Sequence, residues 1–103
     1  LTGQDPIAEF CFTGEAFVWR GPSPYLYVAI PEEFSAELRF AAHQASYGWG
    51  VIPVEASIAG EIFTTSLFPR ENRYLLPIKV AVQRAATVGP GSSVRCKLVV
   101  RPR

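Results

Sequence analysis

The chain has 103 residues, 49% of them hydrophobic and 18% charged, with a net charge of +1. That length suits one domain, and the apolar content excludes a disordered chain. The charge balance gives no global field to steer a nucleic acid or an acidic membrane, no apolar run approaches the about 20 residues of a membrane span, and two cysteines are too few for a disulfide scaffold.

Residues 1–8, LTGQDPIA, read as a loose lead-in to one domain over 9–103, and Leu1 in place of Met reads as a trimmed end. EFCFTGEAFVWR (9–20) is rich in aromatic and β-branched residues, which suit a half-buried strand. GPSP (21–24) is turn chemistry: Gly permits positive φ, and Pro fixes φ while offering no amide donor. YLYVAI (25–30) alternates, with Leu26, Val28 and Ile30 on one face and Tyr25 and Tyr27 on the other, so the two strands read as a hairpin.

Pro31 changes the period. In PEEFSAELRFAAHQA (31–45) the apolar Phe34, Leu38, Ala41 and Ala45 recur at helical spacing. Glu32 and Glu33 suit the positive end of the helix dipole, Arg39 and His43 the negative end, and Gly48 and Gly50 stop the helix. VIPVEASI (51–58) is a strand with Ile52, Val54, Ala56 and Ile58 on one face; Pro53 cannot donate to a ladder and predicts an edge or a bulge. After the Ala59-Gly60 turn, EIFTTSLF (61–68) returns with Phe63, Thr65 and Leu67 on one face.

RENR then bridges to YLLP, which turns into a second helix over 77–86 with Ile78, Val82 and Ala85 buried. GPGSS breaks it, and VRCKLVVR (94–101) places Val94, Cys96, Leu98 and Val100 on one face and Arg95, Lys97, Val99 and Arg101 on the other. VAIPEEF and YLLPIKV each lead through a helix and a glycine break to a strand, a weak pseudo-twofold repeat. Strands outnumber helices, the turns are tight, and closure would remove free sheet edges. The prediction is a mainly β chain: a small closed or nearly closed barrel of about six strands with two short helices.

GEIFTTSLFP, YLLPIKVAVQRA and VGPGSSVRCKLVV, with YVAIPEE and GWGVIPVEASI upstream, resemble the bacterial family known as domain of unknown function 1905 over roughly residues 17–100. The resemblance implies a Greek-key β-barrel with no established activity, and a scaffold or binding role. The sequence departs from the family pattern where Gly91 is followed by Ser92 and Ser93 in place of an often-found Gly-Asp pair, at Gln83, where the family often carries an Arg, and at Phe63, where it often carries a Trp.

The densest chemistry lies between Ser66 and Lys79. Ser66, Arg70, Arg73, Tyr74 and Lys79 are the candidate ligand-binding residues: helix N-terminal amides and guanidinium groups would hold a phosphate or carboxylate. The competing reading is a solvated connection in which Tyr74 packs by its ring and Pro77 starts the helix. A nucleic-acid interface is the alternative, with Arg95, Lys97, Arg101 and Arg103 as its basic row and Tyr25, Tyr27, Tyr47 and Trp49 as stacking surfaces. The near-zero charge and the lack of a nucleic-acid motif argue against it.

Enzymatic use of Cys11 or His43 is a third reading, without a carboxylate spaced to support either. No cofactor is implied, and no clustered ligands suggest a metal. Cys11 falls on the side of its strand opposite Phe10 and Phe12 while Cys96 faces inward, so two free thiols are expected. The reading is of a single cytoplasmic, non-enzymatic module that binds a small anionic ligand or a partner protein, with self-association at Pro53 open.

Overall fold

The computed structural model describes residues 5–20, 24–45 and 50–101. Six strands are present: β1 Ala8–Trp19, β2 Tyr25–Ala29, β3 Ile52–Ile58, β4 Glu61–Arg70, β5 Arg73–Pro77 and β6 Ser93–Val100. A 3-10 turn at Glu32–Phe34 runs into helix α1, Ser35–Ala45, and helix α2 spans Val80–Ala86. The strands close into an antiparallel barrel in the order β1-β2-β5-β4-β3-β6.

Alternation built the core as expected. Leu26, Val28 and Ile30, then Ile52, Val54, Ala56 and Ile58, then Val94, Cys96, Leu98 and Val100 are all buried inside the barrel. Leu38 and Ala41 of α1 join them, and the Phe34 ring stacks on Phe10 of β1 with centroids 4.3 Å apart. The side chain of Ala45, the helix stop at Gly48, Tyr47, Trp49, Arg103, the first half of the lead-in and most of the GPSP turn fall outside the described residues.

Three expectations are corrected. RENR is not a bridge: β4 runs on through Arg70, β5 starts at Arg73, and only Glu71-Asn72 turns, with Glu71 at φ 57°. YLLP is strand rather than turn. Pro77 is the rung opposite Tyr27, and the Ile78 N–H donates to the Leu26 carbonyl at 3.0 Å, so α2 begins only at Val80. That shift buries Ile78 as an extension of the strand, exposes Ala85 and turns Ala86 toward the core. Strand β3 is not an edge strand, because it is paired on both sides, although Pro53 itself lies beyond its ladder to β6. Its ladder to β6 covers only Glu55–Ile58, so a missing donor at 53 costs no rung there.

The repeat is real in topology. Exchanging β1 with β4, β2 with β5 and β3 with β6 preserves every neighbour relation around the barrel. It also converts the Ile30 N–H to Tyr74 carbonyl bond into the Ile78 N–H to Leu26 carbonyl bond, both 3.0 Å. Val28 faces Leu76 on the axis, and buried Phe12 corresponds to buried Phe63. The two prolines of the sequence repeat are not equivalent: Pro77 corresponds to Ala29, and Lys79 to Pro31.

Strand β1 pairs with β6 up to Glu15 and with β2 from Ala16, so Gly14 sits where it changes partners. A Cβ there would stand 2.9 Å from a Val28 methyl and 3.3 Å from the Ala29 carbonyl oxygen. Gly14→Ala is therefore expected to destabilise the barrel by about 1–3 kcal/mol in urea unfolding; an equal or higher stability would show that the contact relaxes freely.

Both cysteines are free. Cys11 is opposite Lys97 and Phe12 is opposite Cys96, so the two sulfurs lie on opposite sides of one ladder. Burial pushes the Cys96 thiol from 9.0 up to about 12. Well below pH 9.0 neither folded nor unfolded thiol is ionised; as pH rises through 9.0 toward about 12 the unfolded one ionises first, and stability falls. Above pH 9.0, Cys96→Val is expected to remove that fall, which steepens toward about 1.4 kcal/mol per pH unit as ionisation of the unfolded thiol nears completion. A disulfide-exchange reagent should titrate one thiol in the native protein and two after unfolding.

Candidate functional site

The five candidate residues do not close on one cavity. Ser66 is half-buried on the outer face of β4, opposite Pro53 and four residues short of Arg70, about 13 Å along the strand. Tyr74 points into the barrel at 6% exposure; burial raises its pKa above 10.0, partly offset by the Arg39 guanidinium. Lys79 is exposed at the start of α2, six residues and about 20 Å of extended chain from Arg73. It offers no side-chain cap; the Gln83 amide instead donates back to the Ile78 carbonyl at 2.8 Å.

Arg70 and Arg73 do come together. They face each other across the last rung of the β4–β5 hairpin. Like charges directly opposite on a sheet repel. Among the described residues neither forms an ion pair; the two pairs formed are Lys97–Glu9 at 3.1 Å and Arg101–Glu55 at 3.6 Å. Those pairs neutralise two cations of the basic row on and just after β6, and among its described members leave Arg95, opposite Thr13, unpaired.

The outward side of the β1–β2 hairpin joins Tyr25 and Tyr27, expected as stacking surfaces, to Phe17 and Trp19, which were not. Phe17 faces Tyr27 and Trp19 faces Tyr25. Their rings pack with centroids 6.4 Å apart for Phe17–Tyr27 and for Trp19–Tyr27, and 5.7 Å for Tyr25–Tyr27. The signal was present in FVW and YLY on either side of a turn, whose odd-numbered rings a hairpin places on one face.

The two hairpins join through three rungs, from Tyr27–Pro77 to Ala29–Leu75. Twist across so short a seam folds their outer faces toward one another. The Arg70 guanidinium carbon lies 5.2 Å from the Trp19 ring centre. A groove of about 270 Å³ opens there, lined by Trp19, Tyr27, Phe68, Pro69, Arg70 and Leu75. In the pseudo-twofold relation Trp19 corresponds to Arg70, Tyr25 to Arg73 and Phe17 to Phe68, so one hairpin supplies rings where the other supplies cations.

Cys11 is exposed on β1 and His43 is exposed near the end of α1. Among the described residues no group of three His, Cys, Asp or Glu gathers, and no helix is long and apolar enough to cross a membrane.

The architecture defines a small closed antiparallel β-barrel domain with two short helices. The chain belongs to the family described as domain of unknown function (DUF1905), whose model matches residues 12–98. No curated protein matches it.

The arginine rung can be tested alone. In low salt Arg73→Ala should leave stability unchanged or raise it by a few tenths of a kcal/mol, because it relieves repulsion. Arg70→Ala should lower it by about 0.5–1 kcal/mol through loss of the contact with Trp19. Equal losses for both variants in urea unfolding would count against the geometry.

Proposed function

We propose that this domain is a non-enzymatic binding module that takes an anionic ligand or partner in the groove between its two hairpins. The observation that carries this reading is the Arg70–Arg73 rung at the end of the groove: two facing arginines, neither in an ion pair among the described residues, with Arg70 set against the Trp19 ring in a groove that Tyr27 and Phe68 also line. An anion placed there would relieve the repulsion and accept charge-assisted hydrogen bonds from both. Tyr74 supports the floor from inside rather than touching a ligand, and Ser66 and Lys79 stand apart from it.

The basic row on β6 offers a weaker basis for binding, since Lys97 and Arg101 already hold carboxylates. Two unpaired thiols suit a cytoplasmic setting. We also read the return of β6 beside β3, after the β3–β4–β5 meander, as a Greek-key turn.

Thermal unfolding with inorganic phosphate, pyrophosphate and aromatic carboxylates tests the reading. A ligand at a hundredfold excess over its Kd adds about 2.7 kcal/mol, a rise in Tm of roughly 10 °C for a domain of this size. The rise should vanish in the Arg70→Ala, Arg73→Ala double variant. A wild-type Tm unmoved by every one of these anions would argue strongly against an anion site.

A further inference from the structure

We infer that the occupant of the groove is single-stranded nucleic acid, its bases stacking on the rings of the β1–β2 hairpin and its phosphates running past Arg70 and Arg73. This rests on the reading of the groove as an anion-binding surface, and adds what the rest of the ligand must be.

A bare anion would leave most of this surface unused. Phosphate or carboxylate needs only the arginines, yet Phe17, Trp19, Tyr25 and Tyr27 form a continuous outward row that meets Arg70 at Trp19, and Phe68 is 43% exposed across the groove. The rings meet one another tilted or edge-on, at 33°, 84° and 72°, rather than stacked face to face. Aromatic faces left unstacked on an antiparallel sheet are platforms for flat rings, and every base has such a face. Arg70 adds a guanidinium plane at the Trp19 ring, and bases stack on guanidinium as well as on indole.

The division between hairpins favours a nucleic acid over a protein. In a protein interface charge surrounds the apolar centre as a rim. Here the four clustered rings belong to one hairpin and the unpaired arginines to the other. A single strand has that form: bases on one side, phosphates on the other. A duplex hides its base faces and would gain only the two arginines. With a net charge of +1 the whole chain contributes little long-range attraction, so binding rests on this local surface.

Fluorescence anisotropy of a labelled, mixed-sequence single strand of about 12 nucleotides tests the inference. Binding is expected at low salt, with a slope of log K against log salt near −1.4, the value for about two phosphate contacts. The Arg70→Ala, Arg73→Ala double variant should weaken it about tenfold and flatten that slope. Trp19→Leu should weaken it at least about fivefold with little change in slope. Lys97→Ala, whose cation is already paired, should bind like the wild type.

The inference is overturned by an absence of binding at low salt, by duplex or a mononucleotide binding as tightly as the strand, or by arginine and tryptophan variants that bind unchanged. Displacement of the strand by an equal concentration of a glutamate-rich peptide would assign the groove to a protein partner instead. If strands fail while inorganic phosphate or aromatic carboxylates still raise Tm through Arg70 and Arg73, the anion groove stands and its nucleic-acid occupant falls. If both fail, so does the groove.

Discussion

Closure of the sheet is the constraint on which the rest depends. The eight rungs between β1 and β6, from Ala8–Val100 to Glu15–Ser93, tie the first strand to the last. Strand β6 also pairs with β3, so neither half of the chain forms its own sheet. The halves interleave: β2 lies against β5, and β3 against β6. A closed barrel leaves no long unpaired edge, and it fixes which residues face out. Once β1 is locked to β6 through residues 8–15, the outward positions of Phe17 and Trp19 follow from the pleat.

The groove is a by-product of a short seam. The β2–β5 ladder has three rungs where β3–β4 has seven, so the two hairpins are free to twist against each other. Their outer corners meet, and the meeting residues are symmetry mates, Trp19 and Arg70. A backbone built twice has thus been decorated differently in each copy. Symmetric decoration with arginine would put four guanidinium groups around one groove, and symmetric decoration with rings would leave a wholly apolar patch open to water.

The inward faces were legible in the sequence because burial on one side of a strand imposes a period of two. Leu26-Val28-Ile30 and Val94-Cys96-Leu98-Val100 needed no knowledge of their neighbours. YLLP was not legible in this way, because Tyr74, Leu75, Leu76 and Pro77 are all buried and show no alternation. A proline before a helix-like run then looks like a helix start. Whether Tyr74 faced in or out was decided by its rung with Pro69, which depends on a turn one dipeptide long. Cross-strand facts were hidden for the same reason. That Lys97 meets Glu9, or that Arg70 meets Arg73 and Trp19, follows from register between distant segments, and charge counted along the chain cannot show it.

The interleaving also sets the order in which the chain acquires its shape. Strands β1 and β2 emerge first and can form only a hairpin, which alone is marginal in water. Strand β1 must wait for β6, which lies about eighty residues further on, before its lower half has a partner. The barrel therefore gains most of its stability in one late, cooperative event. Until residue 100 has been made, the rings at 17, 19, 25 and 27 and the future core are exposed together. The last strand acts as the keystone, and a chain shortened before Val100 would lose the closing rung and not merely a tail.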